Sequence, residues 1–245
     1  MTFKFFRITI PLATILLFFV GFLLFQLSKS RTFQFFGGIT YRVNTNQKVV
    51  ALTFDDAPTK YSDEVVNILA EKGVRATFYT IGRNIEQYPN EAKYIVENSN
   101  EIGNHSSSHQ RLFLKSLSFI DSEIQKTNQL IQQTGYEGDI TFRPPYSKKL
   151  LLLPWYLHQH NIKTITWDIE PDTYLPNSIS DAEKVKFLVD YTVEHTKPGS
   201  IILLHPFCDS CGSDRRATGQ IIDKLQSMGY KFVTISQLLT YETRD

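Results

Sequence analysis

From about residue 47 onward, short apolar and β-branched runs alternate with longer stretches whose apolar positions recur at helical spacing. The short runs are Val49–Phe54, Ala76–Ile81, Glu101–His105, Ile140–Arg143, Lys163–Asp168, Ser200–His205 and Lys231–Ile235, and they predict strands. Between them, Asp63–Lys72, Pro89–Asn98, Ser118–Gln133, Asp181–Glu194 and Arg215–Met228 predict helices, several opened by an Asp or Ser cap. So regular an alternation calls for a parallel sheet with helices outside it, open or closed. About seven strands fall short of the full eight, so the expected class is α/β, an incomplete or distorted (β/α) barrel. No stretch repeats at a fixed period and none is of low complexity, which removes solenoids and disordered tails.

Before residue 29 the pattern is of another kind. An uncharged run extends from Ile8 to Ser28, with Lys4 and Arg7 before it and Lys29 and Arg31 after it. At 1.5 Å per residue such a run spans about 30 Å, the thickness of a bilayer core. Cleaved signal peptides have apolar stretches of about 7–15 residues followed by a small-residue cut site. This run is longer and no such site follows, so a transmembrane helix acting as an uncleaved anchor is expected, with a cleaved peptide as the alternative. Positive charge at both ends leaves the orientation open. The chain thus divides into an anchor, 1–28; a polar and aromatic linker with Gly37-Gly38, 29–46; and one domain, 47–245, long enough to bury a sizeable core.

Formal net charge is +1, with acids and bases mixed along the chain, so a nucleic-acid partner is not expected and a neutral or weakly charged polymer fits better. The two cysteines, Cys208 and Cys211, suggest a short-loop disulfide in an oxidising compartment, with free thiols as the alternative. A closed zinc site would need two further ligands close by, and the better ligands lie elsewhere.

In parallel α/β folds, chemistry collects where strands end at their carboxyl edge. Here the predicted strands run into Asp55-Asp56, His105, Arg143, Asp168 and His205. Adjacent carboxylates on a strand point to opposite sides, so one can bind a metal while the other serves as a base; a pair of turn carboxylates before Pro58 is the plainer alternative. His105 and His109 are four apart, and a helical turn after the strand would bring both rings to one face, a spacing suited to one metal ion. Two imidazoles and one carboxylate leave a position open for water, the pattern of a catalytic site that accepts Zn²⁺, Co²⁺, Ni²⁺ or Mn²⁺. His158, His160 and His195 lack a matching arrangement and are assigned to packing or solvated roles.

Five segments, taken in order, resemble the motifs of the polysaccharide deacetylases, carbohydrate esterase family 4 with its NodB homology domain. They are Thr53-Phe54-Asp55-Asp56-Ala57-Pro58, His105-Ser106-Ser107-Ser108-His109, Arg143-Pro144-Pro145-Tyr146-Ser147, the stretch Trp167–Tyr174, and Ile202-Leu203-Leu204-His205. The resemblance covers residues from about Gln47 to Leu239. It implies a seven-stranded distorted barrel with one divalent metal, zinc first, held by Asp56, His105 and His109. It further implies Asp55 as general base, Arg143 holding Asp55 ionised, and the Tyr146 backbone N–H at the oxyanion. His205 would be the general acid, Leu203 would line the acetyl pocket, and Tyr146 would also touch substrate. The chain departs from the family pattern at Ala57 and Ser147, each in place of a usual Gly, and at Pro206, where an Asp is usual. In the fourth motif, Asp168-Ile169-Glu170-Pro171-Asp172-Thr173-Tyr174 replaces an Asp-Trp pair, making Asp172 the first choice and Asp168 the second to orient His205, with Tyr174 standing for the Trp.

The function implied is metal-dependent removal of N-acetyl groups from amino sugars of a cell-wall or extracellular polysaccharide. The implied protein is a single-pass cell-membrane monomer, its catalytic domain extracytoplasmic and attached through the N-terminal helix. An O-acetyl esterase, a muramic-lactam-type amide hydrolase and a non-catalytic glycan-binding protein remain as alternatives.

Overall fold

The computed structural model describes residues 3–243, with side chains from Thr14 onward. At its centre lies β2 (Val49–Ala57), in which Val50, Ala51, Leu52, Thr53 and Phe54 are fully buried. A continuous apolar run without alternation is what a parallel strand covered on both faces requires. Around β2 the strands β3 (Thr77–Thr80), β4 (Glu101–Asn104) and β6 (Ile201–Leu204) take the order β4-β3-β2-β6, all parallel. β7 (Lys231–Phe232) pairs with the start of β2. A second ladder joins β1 (Ile39–Thr40) to β5 (Thr164–Ile165). Single parallel bridges, Asn104 to Phe142, Phe142 to Thr164 and Ile169 to Ile202, connect the two ladders on both sides and close an irregular barrel. The segment Ile140–Arg143 contributes only its Phe142 bridges, since Pro144 and Pro145 follow it and have no N–H to extend a ladder.

Five helices cover the outside where amphipathic stretches predicted them: α2 (Ser62–Glu71), α4 (Pro89–Glu97), α5 (Leu117–Gln133), α7 (Asp181–His195) and α8 (Gly212–Ser227). Three short ones, α3 (Gly82–Gln87), α6 (Leu152–Gln159) and α9 (Ile235–Leu239), are too brief to show a period in sequence. Phe54, Phe78, Val66 and Ile221 pack between barrel and helices, while Ala51, Tyr79, Ile165, Trp167 and Leu203 fill the barrel interior. Cys208 and Cys211 are joined as a disulfide.

The transmembrane expectation is overturned: among the described residues, no helix is long and apolar enough to cross a membrane. Lys4, Arg7 and the run's first residues, 8–13, lie outside the described side chains. The helix in question is α1 (Phe3–Ser28). Its last turn is engaged with the domain: Ser28 is fully buried, its carbonyl accepts the Lys149 N–H at 2.8 Å, and the Lys148 ammonium lies 3.9 Å from the Phe25 ring centroid. The single-pass membrane placement built on that run goes with it. The following residues are packed as well, since Ile39–Thr40 forms β1 and Arg42 bridges to Ser200.

Candidate active site

Strand alternation alone would send Asp55 and Asp56 to opposite sides. The register of β2 against β3 shifts between Phe54 and Ala57, and Asp56 takes φ 68°, so this bulge turns both carboxylates into one cavity. The rest of that cavity, about 380 Å³, is lined by His105, His109, Tyr146, Ser147, Trp167, Glu170, His205, Lys29 and Arg31.

His105 leaves the end of β4, yet no helical turn follows. Ser106 and His109 both adopt positive φ, 64° and 56°, in a loop braced from three directions. The Asn104 side-chain oxygen accepts the Ser106 N–H at 2.8 Å, the Ser106 hydroxyl accepts the His109 N–H at 3.1 Å, and the Glu123 carboxylate on α5 accepts both Ser108 donors. The loop brings the two imidazoles together, 4.9 Å between ring centroids. His105 Nδ1 lies 2.7 Å from the Arg143 carbonyl. A carbonyl only accepts, so Nδ1 carries a proton and Nε2 faces the carboxylates, 3.5 Å from Asp55 and 3.9 Å from Asp56. Burial, then the neighbouring His105, pushes His109 down to about 4, against the pull of Asp56 and Asp55.

These residues fit a cation. Asp56 Oδ1 is buried and has no hydrogen-bond partner, His109 Nε2 stands 3.3 Å from it, and one donor atom from each of Asp56, His105 and His109 falls within 4.8 Å of the others. Ligands at ~2.1 Å in tetrahedral array are separated by about 3.4 Å. The carbonyl bonded to His105 Nδ1 is an outer contact of the kind that fixes the tautomer of metal-binding imidazoles in general.

Asp55 is 3% exposed and its Oδ1 accepts from Arg143 at 2.7 Å. Burial by itself would raise its pKa; the Arg143 charge, helped by His105 and His205, wins and holds the carboxyl below its ordinary value. Arg143 is fully buried, donating also to the Thr53 hydroxyl at 2.9 Å and the Thr166 carbonyl at 3.2 Å, its guanidinium 4.0 Å from the Tyr79 ring centroid. Removing one member of a buried ion pair strands the other's charge, at a cost of about 3–5 kcal/mol. Arg143→Met should therefore lower the unfolding free energy, measured by denaturant titration, by that much. A loss under about 1 kcal/mol would show that the pair carries little of the site's stability.

His205, at the end of β6, points Nδ1 at Asp172 Oδ2, 2.8 Å away, from the short turn Pro171–Tyr174. Asp168 is occupied elsewhere, accepting from the Ser200 hydroxyl and the Ile201 N–H, each at 2.8 Å. Burial would lower the His205 pKa, but the Asp172 hydrogen bond and the charges of Asp55, Asp172 and Asp56 push it up to about 9. The Tyr146 ring packs on His109 at 4.7 Å between centroids, and its backbone sits in the left-handed region at φ 56°, as does Ser147 at φ 55°. Glycine would adopt that conformation without a Cβ penalty. Leu203 is fully buried in the barrel interior beside Trp167, and Trp167 lines the cavity. Tyr174 is half exposed and stacks on Tyr191 of α7, 5.0 Å between centroids. His160 and His195 stack on Tyr156 and Tyr191 respectively.

Sequence reasoning missed Lys29, Arg31, Trp167 and Glu170 as site residues. Trp167 donates to Glu170 at 3.1 Å and Arg31 pairs with Glu170 at 3.3 Å. The spacing of Trp167 and Glu170 within the fourth motif was the available signal; Lys29 and Arg31 read as flanking charges.

The polysaccharide deacetylase family profile matches residues 42–165. A peptidoglycan-N-acetylglucosamine deacetylase of Bacillus cereus is 28% identical over 207 residues, 84% of this chain and 95% of that protein. The crystal structure of the Bc1960 peptidoglycan N-acetylglucosamine deacetylase superposes with TM-score 0.74 at 26% identity, covering 84% of this chain and 95% of the other. BA3943 of Bacillus anthracis, a CE4 family pseudoenzyme, superposes with TM-score 0.73 at 28% identity, covering 85% and 71%. A pseudoenzyme on the same fold means that activity has to be argued from side chains.

Proposed function

The chain belongs to the polysaccharide deacetylase family, and we propose that it hydrolyses the N-acetyl groups of amino sugars in a cell-wall polysaccharide, with Asp55 as base and His205 as acid. The observation that carries this reading is a pair of titrating groups in one cavity pushed in opposite directions, Asp55 downward by Arg143 and His205 up to about 9 by Asp172. Such a divergence separates a base from an acid at neutral pH.

Asp56, His105 and His109 would hold one divalent ion, Zn²⁺ first and Co²⁺, Ni²⁺ or Mn²⁺ after it. When bound, that ion supplies a Lewis acid beside the scissile amide. Asp55, kept ionised by Arg143, takes a proton from the attacking water as the water oxygen bonds to the acetyl carbon. The Tyr146 backbone N–H donates to the carbonyl oxygen as it gains charge. His205, held by Asp172, gives its proton to the sugar nitrogen as the C–N bond breaks, so acetate and a free amine leave. An amine needs that proton more than an alcohol does, which favours the amide over the O-acetyl ester. Incubation with N-acetylated oligosaccharides should yield acetate and new free amine in equal amounts. Absence of acetate from chitin-like and peptidoglycan oligomers alike would overturn the proposal.

The pH dependence follows from the sign of the His205 shift. Its acid form persists below its raised pKa and is lost as pH rises through about 9, so amide turnover should fall on that basic limb. Asp172→Asn removes both the charged hydrogen bond and one charge that raise it, and should move the limb downward, toward the ordinary histidine value of about 6.5. A basic limb unmoved in the Asn variant would contradict the assignment of Asp172.

A further inference from the structure

Four cations gather on one side of the cavity, and two come from the segment that follows α1. Lys29 and Arg31 line the cavity directly. The Lys29 and Lys148 ammonium groups lie against the same ring, 5.4 and 3.9 Å from the Phe25 centroid, and the Arg111 guanidinium lies 4.9 Å from the ring of Tyr146, another lining residue. Lys148 Nζ is buried with no hydrogen-bond partner. Burial lowers its pKa, and the nearby charges of Lys29 and Arg111 add to that in the same direction. Among the described residues, the only carboxylate paired with any of the four is Glu170, on Arg31.

The segment is fixed in place by buried groups. Lys149 is 1% exposed; its N–H donates to the Ser28 carbonyl at 2.8 Å and its ammonium to the carbonyls of Ser30 at 2.5 Å and Ser147 at 3.4 Å. The Thr166 hydroxyl donates to the Arg31 carbonyl at 2.6 Å. One buried lysine therefore ties Ser28–Arg31 to the loop that carries Tyr146. Holding like charges together beside a substrate cavity is unfavourable unless an anion completes the group.

We propose that Lys29, Arg31, Lys148 and Arg111 form an anion-binding subsite on the rim of the catalytic cavity, selecting an acidic glycan that carries a carboxylate or phosphate beside the acetylated sugar. The proposal rests on the deacetylase reading for the identity of the polymer, and its charge preference is measurable without turnover.

The test compares the full chain's affinity for three N-acetylated oligosaccharides of one length, neutral, carboxylated and phosphorylated, at low and high salt. Wild type should bind an acidic form more tightly than the neutral one, with the tighter of the two acidic forms naming the anion, and high salt should abolish the preference. The double variant Lys29→Gln and Lys148→Gln should reduce the preference about three- to tenfold, and Lys29→Arg with Lys148→Arg should restore it. Equal affinity of wild type for neutral and acidic forms, or a preference unchanged in the Gln variant, would overturn the subsite. Acetate is followed in the same samples. A charge preference that survives without any acetate supports the subsite and counts against the deacetylase reading alone.

Discussion

Replacing His105 or His109 by alanine should lower bound metal and acetate release together, each by more than about a hundredfold. Losing an outer partner of a ligand already costs about 10–100-fold in affinity or activity, and in the proposed site these two would supply the imidazole donors themselves. His105 is 2% exposed, and its Nδ1 is committed to the Arg143 carbonyl, so Nε2 has no other task in the structure than to face the carboxylate cluster. His109 stands 3.3 Å from the buried, unpartnered oxygen of Asp56. Truncation leaves that oxygen and Asp55 facing each other with one fewer donor between them. Metal content by elemental analysis and acetate release are read on the same preparation. Full metal content with ordinary turnover in either variant would remove these residues from the metal site.

Replacing His205 by alanine should leave metal content intact and slow amide hydrolysis by about 10²–10⁴-fold, the range a positioned general acid supplies. Its neighbour is Asp172, at 2.8 Å, and it lies outside the Asp56–His105–His109 cluster. Activated esters expel groups that need no proton, so their hydrolysis should suffer far less. The contrast separates an acid from a residue that merely shapes the cavity, which would slow both substrates equally. Equal losses on amide and activated ester, or none on either, would exclude the acid role.

The alternation of strand-like and helix-like runs was enough to place Asp55 near the end of β2 and His105 and His205 directly after β4 and β6, because side-chain period and the parallel α/β plan are local properties, whereas Arg143 follows a single bridged residue, Phe142, and no strand. Asp168 ended a strand-like run too, yet its carboxylate is tied to Ser200 and Ile201. The bulge that turns Asp56 beside Asp55 depends on register against β3, which no single run contains. The loop with positive φ at Ser106 and His109 is held at Ser108 by Glu123, fifteen residues along in α5, a partner that local spacing does not show, and so the loop looked like a helical turn. The segment Ser28–Arg31 was hidden most completely. Its charges follow an apolar run and read as the flank of a bilayer span, whereas Lys149 and Thr166, which hold its backbone carbonyls, and Glu170, which pairs with Arg31, lie more than a hundred residues away in sequence.

The central claim is that hydrolysis depends on one divalent ion held by Asp56, His105 and His109, with Asp55 and His205 working on either side of the bond that breaks. The most direct measurement strips the protein with a chelator, reloads it with graded amounts of Zn²⁺, and plots acetate release from an N-acetylated oligosaccharide against metal bound per chain. The account predicts no acetate from the stripped protein and a straight rise that levels off at about one ion per chain. Undiminished acetate release from the stripped protein, or a plateau that requires two ions, would contradict it.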